Sequence, residues 1–235
     1  MTVAKQAVRE RVWSQLERAG VVEPGVRGYI PAFEGAVQAA ERLASLAVWQ
    51  QGQILQIAPD RAQLPVRSRA LQDGKLVYMA APELAKPKPF YLLDPSRLPV
   101  PATEASDRTV AARIAPGIDV SQMQPIDLIV CGSVAVNDRG ARLGKGAGYS
   151  DIEVALLAET GLISERTVIA TTVHDLQVLD EDLPEQGHDF RVDLIVTPHH
   201  TIWPGNPKRP ARLDLDSLNP EQIAAIPVLA QRVRR

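Results

Sequence analysis

One cysteine, Cys131, stands among 235 residues, so no intrachain disulfide can form and a reducing compartment is the natural setting. No apolar stretch reaches the roughly 18 residues of a membrane span. The start, Met1-Thr-Val-Ala-Lys-Gln, opens an amphipathic helix rather than a signal peptide, which makes a cytoplasmic protein the expectation. Excess charge of either sign is missing: 26 basic against 28 acidic residues leave −2, with no global pull toward nucleic acid or membrane. Aromatic residues are scarce, at 4%, and no basic, aromatic-rich strand pair offers bases a stacking platform, so no nucleic-acid partner is expected. The common nucleotide fingerprints are absent too, since neither the Gly-Lys-Ser/Thr ending of a P-loop nor a G-x-G-x-x-G spacing occurs in the glycine-rich stretch.

What that stretch does contain is more specific. Asn137 to Asp151 reads N-D-R-G-A-R-L-G-K-G-A-G-Y-S-D, with Gly144, Gly146 and Gly148 at alternate positions between Arg142, Lys145 and Tyr149. It follows an apolar run and precedes a helical pattern. Glycines there allow positive φ and close backbone approach, so the amides of Leu143, Gly144, Lys145, Gly146, Ala147, Gly148 and Tyr149 can converge on anionic oxygens while the two cations supply charge. The competing reading is a simple strand-to-helix turn.

Periodicity orders the rest. Residues 3–19 place Val8, Val12, Trp13 and Leu16 on one helical face and stop at Gly20; a second helix runs from about Phe33 to Leu43. Ala44 to Trp49 and Leu76 to Ala80 read as strands flanking a helix over Leu64 to Gln72. Residues 85–125, with Lys86-Pro-Lys-Pro-Phe90 and Leu98-Pro-Val-Pro101, read as a surface excursion or rim. Leu128–Val136, Thr167–Val173 and Val192–Val196 are buried-strand candidates, a helix covers 151–160, and Asn219 to Val233 reads as a closing helix. Unbroken Val/Ile/Leu strands alternating with helices indicate a mostly parallel sheet covered on both faces within one domain of 235 residues. Ligands of such sheets bind beyond the carboxyl ends of the strands, where Arg142 to Asp151, His174 with Asp175, and His199 with His200 all fall.

With the strand before it, the glycine block resembles the signature of the 5-formyltetrahydrofolate cyclo-ligase family, D-x-x-G-x-R-L-G-x-G-x-G-Y-Y-D. Gly132-Ser-Val-Ala-Val136, Thr172-Val-His-Asp-Leu-Gln-Val178 and Pro65-Val-Arg67 are similar to the divergent methenyltetrahydrofolate synthetase domain-containing branch. The resemblance implies a three-layer α/β/α fold like that of sugar isomerases and coenzyme A transferases. It implies ATP as co-substrate, with Mg²⁺, in converting 5-formyltetrahydrofolate to 5,10-methenyltetrahydrofolate. It assigns Arg142, Lys145 and Tyr149 to catalysis, Lys5 and Arg9 with residues 142–149 to the nucleotide, and Asp151 and Asp189 to the metal, against default readings of a helix cap, a loop carboxylate and a polar helix face. The small-molecule partner is a reduced folate or another phosphate-accepting metabolite. Departures stand beside the matches: Asn137 for Asp, Ser150 for the second Tyr, and no formylfolate segment in Gln50 to Pro59. They leave open a paralogue without cyclo-ligase activity that binds a nucleotide or phosphorylated metabolite, related to thiamin. Arg67 and Arg69 are candidates for an anionic substrate, His174 for a proton carrier beside a carboxylate. His199 and His200 make a poor metal pair. The oligomeric state is open.

Overall fold

The computed structural model describes residues 2–210 and 212–233. Helices are α1 Val3–Ala19, α2 Ala36–Ala44, α3 Ala47–Gln51, α4 Leu64–Gln72, α5 Ala102–Ala105, α6 Arg108–Ile114, α7 Tyr149–Glu159, α8 Pro220–Ala225 and α9 Pro227–Val233. Strands are β1 Ile54–Ile57, β2 Leu76–Ala80, β3 Phe90–Leu93, β4 Gly117–Ile118, β5 Leu128–Cys131, β6 Ala135–Asn137, β7 Arg142–Leu143, β8 Val168–Thr172, β9 Val178–Leu179, β10 Leu194–Val196 and β11 Thr201–Ile202.

Eight strands form one sheet in the order β11-β10-β8-β5-β1-β2-β3-β4. The five central strands are parallel; β11, β3 and β4 add antiparallel edges. Strand periodicity sorts the core into two layers. Leu128 and Val130 join Leu55, Ile57, Val77 and Met79 under α2 and α4, whereas Ile129 and Cys131 join Ile169 and Ile195 under α7 and the C-terminal helices. The α7 segment Ile152–Leu157 is buried throughout because the sheet lies on one side of it and α8 and α9 on the other. The expected mostly parallel, three-layer α/β/α architecture is the one observed.

The second sheet, β7-β6-β9, is small and packs with α1 in a third cluster around Val12, Trp13 and Leu16. Thr2 Oγ1 caps α1 by accepting from the Lys5 amide at 3.3 Å, and Gly20 ends it as expected.

Several elements depart from the sequence expectation. Ala44 to Trp49 is no strand: Trp49 lies in α3 with its Nε1 donating to Asp73 at 2.8 Å, and the strand is Ile54–Ile57, whose alternation is broken by the buried Gln56. Residues 85–125 are not only rim, because Phe90 and Leu93 are fully buried in β3 and β4 continues the sheet. The run Leu128–Val136 splits at Gly132, where a Cβ would sit 2.9 Å from Asp60 Oδ2, and the chain passes from the large sheet to the small one. The closing helix is divided by Pro227.

The topology reverses between β1 and β5. From β1 the chain crosses over α4 to β2 on one side; from β5 it crosses over α7 to β8 and then β10 on the other. A crevice forms outside the carboxyl ends of strands at such a switch point.

Candidate functional site

A cavity of about 890 Å³ occupies that crevice. The end of β1 supplies Asp60, the end of β2 Glu83, α1 Lys5 and Arg9, and the stretch from Arg142 to Glu153 the largest share of the wall; Arg108, His188, Asp189 and Gln222 also line it.

The glycine loop is held from several sides. Arg142 is 5% exposed, stacks its guanidinium 4.6 Å from the centre of the Phe190 ring and lies 3.7 Å from Asp151 Oδ1, while its buried Nε has no partner. Arg9, buried on α1, donates from Nε to the Gly144 carbonyl at 2.6 Å. Burial, then the neighbouring Arg142 charge, lowers the Arg9 pKa. Gly146 (φ +108°) and Gly148 (φ +75°) adopt backbone that other residues avoid. Gly144 does not, contrary to the expectation for all three; a Cβ there would instead collide with Arg142 Nη2. Lys145 is exposed, Leu143 is buried in β7, and Tyr149 opens α7 with its phenol pKa raised by burial and then by Glu83.

Acids line the same space. The carboxyls of Asp151 and Asp60 are both pushed upward by burial, opposed by Arg142 at Asp151 and by Lys145 foremost at Asp60. Glu153 is buried, accepts from Gln56 Nε2, and is raised to about 8 by burial and then by Asp60. Asp189, 6% exposed, holds Lys5 Nζ at 2.5 Å and the Gln186 amide at 2.6 Å through one oxygen, Oδ2. Among the described residues no group of three or more His, Cys, Asp or Glu side chains is arranged to hold a metal. Asp151, half-buried and open to the cavity, fits a cation shared with ligand oxygens; Asp189 has one oxygen committed to Lys5.

The other candidates lie elsewhere. His174 Nδ1 accepts from the Leu176 amide at 3.1 Å and its ring packs edge-on to Phe33; burial lowers its pKa. Asp175 accepts from Thr197 Oγ1 at 2.5 Å and bonds His199 Nδ1 at 2.7 Å, with His200 at 4.0 Å. None of these four residues lines the cavity, so the expected convergence of all strand-end residues does not occur. Arg67 binds no substrate from its position: it is fully buried and donates to the carbonyls of Ser106 and Asp60 at 2.9 and 3.0 Å and also to that of Ala58. Arg69 pairs with Asp73 at 2.9 Å on the surface of α4. Cys131 is a buried core thiol raised to about 11 by burial. Asn137 does not reach the cavity: Oδ1 accepts from the Ala141 amide at 3.0 Å and Nδ2 donates to the Glu181 carbonyl at 3.0 Å, a donor that Asp lacks.

Sequence reasoning missed Asp60, Glu83, Arg108, Glu153 and Gln222. A glutamate inside the otherwise apolar run Ile152–Leu157 was the legible signal for Glu153. Asp60 was hidden because β1 was misplaced.

Residues 1–198 match the model of the 5-formyltetrahydrofolate cyclo-ligase family. The methenyltetrahydrofolate synthase domain-containing proteins of Mus musculus and Homo sapiens are each 34% identical over 240 residues, covering 97% of this chain and 62% and 61% of those proteins. The chain thus spans about three fifths of the length of these relatives. A 5-formyltetrahydrofolate cyclo-ligase of Mycolicibacterium smegmatis is 34% identical over 87 residues, 37% of this chain and 41% of that protein. The NMR structure of Aquifex aeolicus 5,10-methenyltetrahydrofolate synthetase shares the fold, with a TM-score of 0.57 at 19% identity over 92% of this chain and 98% of that one. Among the described residues no helix is long and apolar enough to cross a membrane.

Proposed function

The chain belongs to the 5-formyltetrahydrofolate cyclo-ligase family, and we propose that it uses ATP to convert 5-formyltetrahydrofolate to 5,10-methenyltetrahydrofolate. The observation that carries this reading is the meeting, in one cavity, of Lys5 and Arg9 from α1 with the whole loop from Arg142 to Asp151. These segments are more than a hundred residues apart in sequence, and a turn alone needs no such partners.

In the proposed reaction the formyl oxygen attacks the γ-phosphorus and ADP leaves. N10 then adds to the activated carbon, and the C–O bond breaks to release inorganic phosphate. Such chemistry needs no protein nucleophile, only donors fixed around charge that moves. Arg142 is suited to this because Phe190 holds its plane and its Nε is unpaired. Lys145 and the loop amides would contact the polyphosphate, Arg9 fixes the Gly144 carbonyl by its hydrogen bond, and Tyr149 offers a protonated phenol at the start of α7. Asp151 would hold Mg²⁺, which neutralises polyphosphate charge when bound; Asp189 contributes beside it and sets Lys5.

Ser150 in place of the family's second Tyr, and the lack of a formylfolate segment in Gln50 to Pro59, favour a second reading, a paralogue that binds a nucleotide or another phosphorylated metabolite, thiamin-related, without cyclo-ligation. Incubation with 5-formyltetrahydrofolate, ATP and Mg²⁺ separates the two. Growth of the methenyl product's absorbance supports cyclo-ligation, and a flat trace together with an ATP-dependent rise in melting temperature supports the paralogue.

A further inference from the structure

The family match ends at residue 198, but the cavity does not. Pro210, Leu213, Leu218, Asn219 and Gln222 form part of its wall. This stretch is fixed at both ends. At the near end, Arg209 Nη2 donates to the Thr167 carbonyl at 2.6 Å and pairs with Asp193, and Lys208 Nζ donates to the Gln186 carbonyl at 2.8 Å. At the far end, Ile226 and Leu229 are fully buried in the core cluster that contains α7, and Arg232 donates to Glu159 of α7 at 2.6 Å. Between these anchors described residues of this C-terminal strap line the cavity.

The strap touches the glycine loop through a defined bond. Asn219 Oδ1 accepts from the Gln222 amide at 2.6 Å, which sets the first turn of α8. From there Gln222 Nε2 donates to the Ala147 carbonyl at 2.7 Å. Ala147 lies between Gly146 and Gly148, both in the positive-φ region. An alanine flanked by two glycines has more backbone freedom around it than one flanked by residues with side chains, so fixing its carbonyl removes alternatives that the loop would otherwise sample. The carbonyl is also turned toward the strap, which keeps a partial negative charge from competing with a bound anion.

We propose that Gln222 is a positioning residue for the anion-binding conformation of the glycine loop, and that the C-terminal strap is thereby a working part of the site. The proposal rests on the reading of residues 142–151 as a phosphate site. Gln222→Met keeps side-chain length and removes the donor; Gln222→Glu keeps the shape and replaces the donor with an acceptor, and serves if the first variant folds poorly. Amide hydrogen exchange of 144–150 is measured in the free protein, and pyrophosphate affinity is measured by calorimetry.

Faster exchange in this loop, a melting temperature without ligand lowered by no more than about 2–4 °C, and pyrophosphate binding weakened about three- to tenfold, the worth of one hydrogen bond, are expected. Unaltered loop exchange in a folded variant overturns the proposal, as does unaltered affinity. If the native protein itself takes up no pyrophosphate, the phosphate-site reading fails, and loop exchange alone then decides for or against the tether.

Discussion

Two regions sit beyond the carboxyl ends of parallel strands and carry charged side chains, yet they differ in what their polar atoms have left to do. Around His174, Asp175, Thr197 and His199 the polar atoms pair with one another: Asp175 takes Thr197 and His199, and His174 caps the turn after β8. At the β1/β5 switch point a buried Arg142 Nε has no partner, two glycines hold positive φ, and burial lifts the carboxyls of Asp60, Asp151 and Glu153. Proteins tolerate unsatisfied and strained groups where a ligand relieves them. Strand-end position alone is therefore not sufficient; the switch point, the positive-φ glycines and the lifted carboxyls distinguish the candidate site, since buried unpaired atoms also occur away from it, on Gln63, Arg67 and Arg209.

Substitutions break this comparison in graded ways. Gly146→Val forces a β-branched residue to φ near +108° and moves the loop backbone, so MgATP affinity should fall at least about 100-fold, whereas His174→Ala should leave it within about twofold. Equal effects from the two, read by calorimetry, would erase the distinction. Lys145→Ala removes one exposed cation, and an affinity loss of about tenfold with unchanged thermal stability is expected.

Stability should respond with opposite signs in the two regions. Glu153 titrates near 8 in the folded chain against an ordinary value of 4.5, so the folded state binds the extra proton. Its burial cost is absent below the ordinary value, grows as pH rises through that window and is complete above about 8. Glu153→Gln should thus raise the melting temperature at pH 8, by about 2–4 °C for each kcal/mol relieved, and hardly change it at pH 4. Asp175, although burial pushes it upward, is held below its ordinary range by Thr197 and His199. Its contribution is present at neutral pH and lost as pH falls through the depressed value, so Asp175→Asn should cost up to about 1 kcal/mol at pH 7 and less in acid. Denaturant unfolding across pH checks both.

Local signals were legible where one residue type decides the outcome. The Gly20 stop, the Leu64–Gln72 helix and the Leu76–Ala80 strand were read at their observed boundaries. The glycine loop was legible because its residues are contiguous. Ala44–Trp49 was misread because a short apolar run fits helix and strand equally, and Trp49 is settled by a tertiary bond to Asp73. Phe90–Leu93 was obscured by the prolines before it, which lie outside the strand. Asp60, Arg108 and Gln222 reach the cavity only through the three-dimensional path of the chain, and no spacing in the sequence announces them.

Hydrogen exchange with and without saturating MgATP tests the central claim most directly. The account predicts new protection in residues 142–151 and around Lys5 and Arg9, with residues 174–177 and 197–202 unchanged. Protection at the histidine cluster, or none at the glycine loop, would contradict it.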